Sequence, residues 1–342
     1  MIQPELSLIL GNAQYDSHVT ACRVVLGLLP HANYAVVTLP AGVEVAAAAG
    51  DDGALDAAGD GEMTRVLTGS VARIDRRFHT VTAILADAGR DLARTRAAAT
   101  YQAQDSGQII SDLAGEAGVD SASVDAALPL VRYAVHQTMT AAEHIAHLAG
   151  LSGCLAHVDA EGRLAVVTRP SGQPDLALLY GREFVDYHVR EGEPPQDQLV
   201  LIGNGPAGNP SEPGAARHTP EPLPASAPAP GTSTRYVPAP FLKTPSAVAT
   251  SGQARNTTRA AASLSLTARC FLLPHLRPGL VVQVQGLPDG IPAGPWLVTG
   301  VQHRVQPLVA GQTIVRAELA DLAAFGLDAL LAGALDLVGG LL

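Results

Sequence analysis

Lysine is almost missing from this chain: Lys243 is the only one in 342 residues. That scarcity reflects the coding bias of a G+C-rich genome and carries no mechanism. Aromatic residues are also few, at 4%, and Trp296 is the sole tryptophan. With 47% hydrophobic residues, the core must be built from Val, Leu, Ile and Ala, which suits strands and short helices. The chain is long enough to bury two or three domains of ordinary size. Cys22, Cys154 and Cys270 are an odd number with wide spacing. They fit neither a disulfide framework nor a paired-cysteine metal site and read as buried free thiols.

Positive charge is short as well. The formal net charge is -10, and the only local basic groups are Arg73, Arg76, Arg77 and Arg90, Arg94, Arg96. No long basic stripe is available to track phosphates, so nucleic-acid binding through the outer surface is not expected. The N-terminal MIQPELSLIL lacks a basic leader region and a cleavable apolar segment, which predicts synthesis and folding in the cytoplasm without a signal peptide. The GxSxG elbow, the HExxH helix and the GxxxxGK[ST] phosphate loop are all missing. Hydrolase, zinc-protease and P-loop readings therefore lack a nucleophile, a ligand set or a phosphate cradle. No catalytic residue, metal or cofactor is assigned, and the chain is not expected to be an enzyme.

What is present is a succession of textures. Short apolar runs, LSLIL, CRVVLGLL, YAVVTL, RVLTGSVARI and HTVTAIL, fill the first part and read as strands. The predicted fold class is α+β, mainly β, with two similar β-barrel domains and a small α/β module between them. The boundaries read as a first β-barrel at 1–85, the α/β module at 86–170, strands entering the second barrel at 171–202, a flexible Pro/Ala/Ser-rich insertion at 203–249, the second barrel at 250–320 and an apolar amphipathic tail at 321–342. Within the module, IISDLAGEAG at 109–118 aligns without gaps with HIAHLAGLSG at 144–153. Each copy reads as a short amphipathic helix with a glycine stop. Either this is an internal repeat or two unrelated helices meet the same need. CLAHVDAEGRLAVVT alternates around Glu161-Gly162 and predicts a hairpin. A helix is expected around Gln253 to Ala262, followed by strands to the end of the second barrel.

Several residues could carry chemistry, and each has a plainer explanation. Gly203-Asn204-Gly205-Pro206-Ala207-Gly208 matches GxGxxG after an apolar strand, but the prolines that follow deny it the helix whose N-terminus would face a phosphate. His144 and His147, beside Glu143, lie one helical turn apart and could offer two imidazoles to a metal. Zinc needs more ligands, and His136 and His157 would have to be recruited by the fold. Asp51, Asp52, Asp56 and Asp60 lack the ligand order of a calcium loop and read as solvated. In the tail, Asp321, Asp328 and Asp336 would gather on one helical face. Burying those carboxylates in a bilayer would cost about 2.5–3.5 kcal/mol each. A membrane span is not expected, and Leu322, Phe325, Leu327, Leu330 and Leu331 are candidate partner contacts. The alternative is that the tail covers an apolar patch on its own domain.

One pattern is more specific. LPHLRPGLVVQVQGL followed by GPWLVTGVQHRV resembles the closing strands of late-control D proteins and the hub part of VgrG-type spikes: an apolar-Pro-Gly turn, a strand, then a Gly-aromatic-Val segment ending in His. The matching positions are Leu276, Pro278, Gly279, Val282, Val284, Gly286, Gly294, Trp296, Val298, Val301 and His303. RVLTGSVARI, SGQIISDLAGEAGV and HQTMTAAEHIAHLAGLSGCLAHVDAEGRLAV follow in the family's order, so the resemblance spans about Leu6 to Leu319. It implies a ring-forming homotrimer that matches a hexameric inner tube protein to a trimeric spike. Its partners would be the tube, a separate spike or spike-tip protein and baseplate wedge proteins. The departures are the proline-rich insertion and the apolar tail. Two other classes remain: a baseplate-associated cell-wall hydrolase, for which no carboxylate pair stands out, and a solitary β-rich surface-binding module, which would need an exposed aromatic platform.

Overall fold

The computed structural model describes residues 4–16, 18–59, 61–170, 172–205, 221–224, 233–288, 292–306 and 309–320. The tail, with its candidate contacts Leu322, Phe325, Leu327, Leu330 and Leu331, lies outside them. The chain opens with seven strands, β1 (Glu5–Leu10), β2 (Ala13–Tyr15), β3 (Ala21–Gly27), β4 (Tyr34–Pro40), β5 (Asp52–Ala58), β6 (Thr64–Arg76) and β7 (Thr80–Ala86). In β3 and β4 every second side chain is buried: Cys22, Val24 and Leu26, then Ala35, Val37 and Leu39. This alternation is that of a sheet with one covered and one open face.

A smaller unit follows, made of α1 (Gly89–Arg94), β8 (Ala99–Asp105), α2 (Ser106–Glu116), β9 (Ser121–Val124), β10 (Pro129–Val135), α3 (Ala141–Leu151), β11 (Cys154–Val158) and β12 (Leu164–Thr168). The two helices of the sequence repeat are built alike. Asp105 and Thr140 cap them through side-chain oxygens, and Thr140 forms a reciprocal capping box with Glu143. Both end on a glycine with positive φ, Gly118 at +71° and Gly153 at +72°. Each sits between two strands in the order strand, helix, strand, and β8 pairs with β10. The expected hairpin is β11–β12, turning at Gly162.

The remaining elements are β13 (Leu176–Leu179), β14 (Phe184–Glu191), β15 (Asp197–Gly205), β16 (Glu221–Pro224), β17 (Ser233–Pro238), α4 (Pro245–Ala261), β18 (Leu264–Phe271), β19 (Val281–Gln285), β20 (Trp296–Gln306) and β21 (Val309–Leu319). The strand DQLVLIGN does not enter a second barrel. It is β15, which pairs with β16 and β17 in a separate sheet. Part of the expected flexible insertion is ordered too: β17 lies beside β15, and Leu199, Leu201, Ala239, Leu242, Ala247 and Val248 join the core of the α/β module. The segment has too little apolar surface for a core of its own and borrows one. Helix α4 begins well before Gln253, because Thr244 caps it and Pro245 suits the first turn.

The expected barrels are corrected by the main sheet. Thirteen strands form one sheet, in the order β14-β18-β21-β20-β3-β4-β7-β6-β5-β1-β2, with β19 and β13 branching from β20. No closed barrel is present among the described residues. The physical reason is the antiparallel pairing of Cys22–Gly27 with Gly300–Val305, which satisfies the edge of each half with the other instead of closing either on itself. The pairing pattern is alike for four strands on each side of this join, after which the first half continues through β5, β1 and β2 and the second ends at β14. A hairpin lies next to it, β3–β4 or β20–β21, and the second strand of that hairpin pairs with the later strand of a further antiparallel pair, β6–β7 or β14–β18. A single hydrophobic core runs beneath both halves, from Leu8, Val24 and Leu85 to Phe184, Leu266, Trp296 and Val315.

This arrangement predicts that residues 1–86 produced alone cannot fold stably, because β3 would present an open edge and half a core. The expected result is an aggregated or dye-binding fragment lacking a cooperative melt, read by circular dichroism. A soluble fragment with a sharp transition would show that the halves are independent.

Candidate functional site

The segment singled out by sequence, Leu276 to His303, is where three parts of the chain meet. Leu276, Val282, Val284, Trp296, Val298, Val301 and His303 are all buried. Trp296 is fully enclosed, and its indole N–H donates to the Pro292 carbonyl at 3.3 Å. It is core, so it offers no aromatic platform to a ligand. Pro278 is buried in the turn that leads to Gly279. Gly279, Gly286 and Gly294 have φ of +93°, +75° and +109°, a region in which L side chains are strained. At Gly294 the constraint is double, since a Cβ there would lie 2.6 Å from Trp296 Cδ1 and 3.0 Å from the Val282 carbonyl oxygen.

The turn before β19 works as a clamp. The Arg277 guanidinium donates to the backbone carbonyl of Arg65 on β6. One residue from Pro278, the space over Gly279 is filled by the imidazole of His157 on β11, whose Cε1 would be 3.3 Å from a Cβ at that position. First half, second half and α/β module are thereby held at one place. Leu29 adds a second tie, its N–H donating to the Ala156 carbonyl at 2.8 Å. Sequence pattern marked the strands of this junction but not Arg277 or His157. Arg277 belongs to the LRPG turn of the motif, whereas His157 lies on a different element and carries no local signal of this contact.

The junction lowers the pKa values of its imidazoles. His303 Nδ1 lies 2.9 Å from Thr313 Oγ1, and both residues are buried. Burial pushes the His303 pKa down to about 3, with Arg277 acting in the same direction. Burial also lowers His157 and His275. The other histidines considered for a metal are not gathered into a site. His144 Nδ1 is 2.9 Å from the Tyr133 hydroxyl, and its Nε2 is 3.2 Å from the His136 carbonyl oxygen. The His136 and His144 rings are neighbours, but His147 packs against Phe241 and His157 against Gly279. Among the described residues no cluster of three or more metal-ligating side chains occurs.

The remaining motifs have structural employment. Gly203 lies where a Cβ would meet Val248 Cγ2 at 2.5 Å and the Leu242 carbonyl oxygen at 2.6 Å, so it admits α4 against β15. Residues 206–208 of the GxGxxG match are outside the described residues. Asp51 accepts from the Ala48 N–H at 2.8 Å and Asp56 pairs with Arg65. Asp60 is not among the described residues. Cys22, Cys154 and Cys270 are free and buried, and burial pushes the Cys22 and Cys270 thiols up to about 12. A cavity of about 640 Å³ opens between Gly59, Thr64, Glu183, Leu273 and His275. No described helix is long and apolar enough to cross a membrane.

Comparison with known proteins places this geometry. No protein-family model matches the chain, and no curated protein matches it. Among solved structures, the 43 kDa tail protein of prophage MuSo2 from Shewanella oneidensis superposes with a TM-score of 0.65 at 16% identity, covering 92% of this chain and 98% of that one. The tail protein from Neisseria meningitidis MC58 gives a TM-score of 0.67 at 13% identity, over 92% and 96% of the two chains. An Escherichia coli component of the type VI secretion system, itself similar to the T4 bacteriophage tail proteins gp27 and gp5, gives 0.57 at 14% identity, over 91% and 76%. The chain has the fold of phage tail proteins, along nearly its whole length.

Two outcomes test the junction. Gly294→Ala should destabilise the chain by about 1–3 kcal/mol, since it combines a strained φ with a clash against the tryptophan; urea titration followed by Trp296 fluorescence measures this. His303 has a folded pKa below its unfolded value, so its stabilising contribution is complete above pH 6.5 and is lost as pH falls toward about 3. The melting temperature of the native chain should therefore fall more steeply from pH 7 to pH 4 than that of His303→Gln. Asp87 is raised to about 7 by burial and works in the opposite sense, but it is common to both proteins. Parallel pH profiles would contradict the assignment.

Proposed function

We propose that this chain is the structural hub of a phage-tail-like contractile injection machine, and that it acts as a homotrimer fitting a hexameric inner tube to a trimeric spike. The observation that carries the reading is the repeated pairing pattern about the β3·β20 join. A subunit with two similar halves offers two similar faces, and three subunits in a ring offer six. That is the arithmetic a trimer needs to meet a six-fold tube, and closed rings also protect sheet edges. Likeness to tail proteins over 92% of the chain supports the same reading.

The work of such a hub is mechanical. It holds a separate spike or spike-tip protein, starts tube assembly, contacts baseplate wedge proteins and transmits force through packed interfaces. The clamp around Arg277 and Gly279 suits this, because it couples both halves and the module so that load on one is borne by all. The hub needs no catalytic group, cofactor or metal, and no role at a membrane or on nucleic acid is assigned to it. It would assemble in the cytoplasm and leave as part of a particle.

Affinity purification of the tagged chain from its own host, with mass spectrometry and negative-stain imaging, tests the reading. Tube, sheath and spike proteins accompanied by rod-shaped particles are expected, and a lone protein with no such companions would overturn it. Deleting Leu322 to Leu342 should weaken docking to tube, spike or cargo while leaving the melting temperature of the core unchanged. Normal particles with normal content would remove the tail from the account.

A further inference from the structure

The open face of the main sheet carries a charge pattern that the sequence conceals. Alternation places Arg23 on β3, Arg304 on β20, Arg316 on β21, Arg269 on β18 and Arg190 on β14 on the side away from the core. These residues are scattered through the sequence of a chain with net charge -10, yet they share one face spanning five adjacent strands, about 19 Å wide. Arg23 and Arg304 are directly opposite each other. Like charges at such positions destabilise a sheet. They share only a neutral acceptor: with its amide oxygen turned toward them, Gln302 accepts from Arg23 Nε at 2.8 Å and Arg304 Nη2 at 2.9 Å.

The carboxylates on this face are already engaged. Asp186 pairs with Arg269 and Glu318 with Arg169, each at 2.8 Å. Among the described residues, Arg23, Arg190, Arg304 and Arg316 have no carboxylate partner. The opposite end of the same sheet carries unpaired carboxylates, with Arg76 and Arg77 on and after β6 also lacking a carboxylate partner among the described residues. Asp51 and Asp52 at the start of β5 are exposed and have no ion-pair partner among the described residues, and Glu5 and Asp16 form a second such pair toward the other end of β1.

We infer that the arginine face around Arg23, Arg304 and Arg316 docks the Asp51–Asp52 corner, at the start of β5, of a second copy of this chain. The occupant follows from charge complementarity. One chain carries both members of the pair on different surfaces, and a contact between unlike surfaces is heterologous, the kind that closes into a ring when its rotation permits. The incoming carboxylates would relieve the Arg23–Arg304 repulsion and give the guanidinium groups charged acceptors. This inference deepens the hub reading and rests on it.

The test uses the full chain and three variants: Arg304→Glu with Arg316→Glu, Asp51→Arg with Asp52→Arg, and all four together. Sedimentation and light scattering at low and high salt read the oligomer, and circular dichroism checks folding. Each double variant should weaken association by about tenfold or more, high salt should weaken the native oligomer, and the fourfold variant should recover it at low salt. A native-like oligomer in both folded double variants would overturn the inference but leave the hub reading standing, as would failure of the fourfold variant to recover. A native chain that is monomeric throughout overturns the inference, and the co-purification above then decides separately whether the chain is a hub. Labelled duplex DNA is titrated in parallel; DNA binding lost in Arg304→Glu, Arg316→Glu without change of oligomer would assign the face to a polyanion and overturn the inference too.

Discussion

The pairing of β3 with β20 is the constraint on which the rest of the structure depends. It brings residues 22–27 against residues 300–305, so it joins segments from near the two ends of the described chain. Two half-sheets that would each carry an open edge become a single sheet over a shared core. The α/β module is then held against that sheet by the turn at Arg277 and Gly279. Loop-closure entropy rises slowly with loop length, which makes so distant a join tolerable once the core beneath it is buried.

Much of this organisation was legible in the sequence, and the limits were physical. Short apolar runs marked β3, β4, β20 and β21, and amphipathic patterns with glycine stops marked α2 and α3, because these signals are local. Which edge each strand would meet was not local. Nothing in CRVVLGLL indicates that its neighbour lies near residue 300, and closing each half into its own barrel was the economical guess. The proline-rich segment misled for a related reason. Its composition cannot support a core, but Ala239, Leu242 and Val248 are buried against a core supplied by the module.

The motif positions illustrate how a family pattern can be specific without being chemical. Leu276, Trp296, Val298 and His303 are interior, and the glycines are fixed by backbone geometry and close packing. Such a pattern identifies a way of folding. The arginines at 23, 304 and 316 show the converse: they are featureless as a sequence and acquire meaning only when strand pairing aligns them. No long basic stripe runs along the sequence, and strand pairing assembles a basic face from arginines on separate strands.

Hydrogen exchange on the native full-length chain tests the central join most directly. If β3 and β20 are the seam of one cooperative sheet, the amides of residues 22–27 and 300–305 should exchange at a common slow rate set by global unfolding. They should also lose protection together as denaturant is added. Protection that is lost in one half while the other retains its own would show two separately stable barrels, and would contradict the account given for this fold.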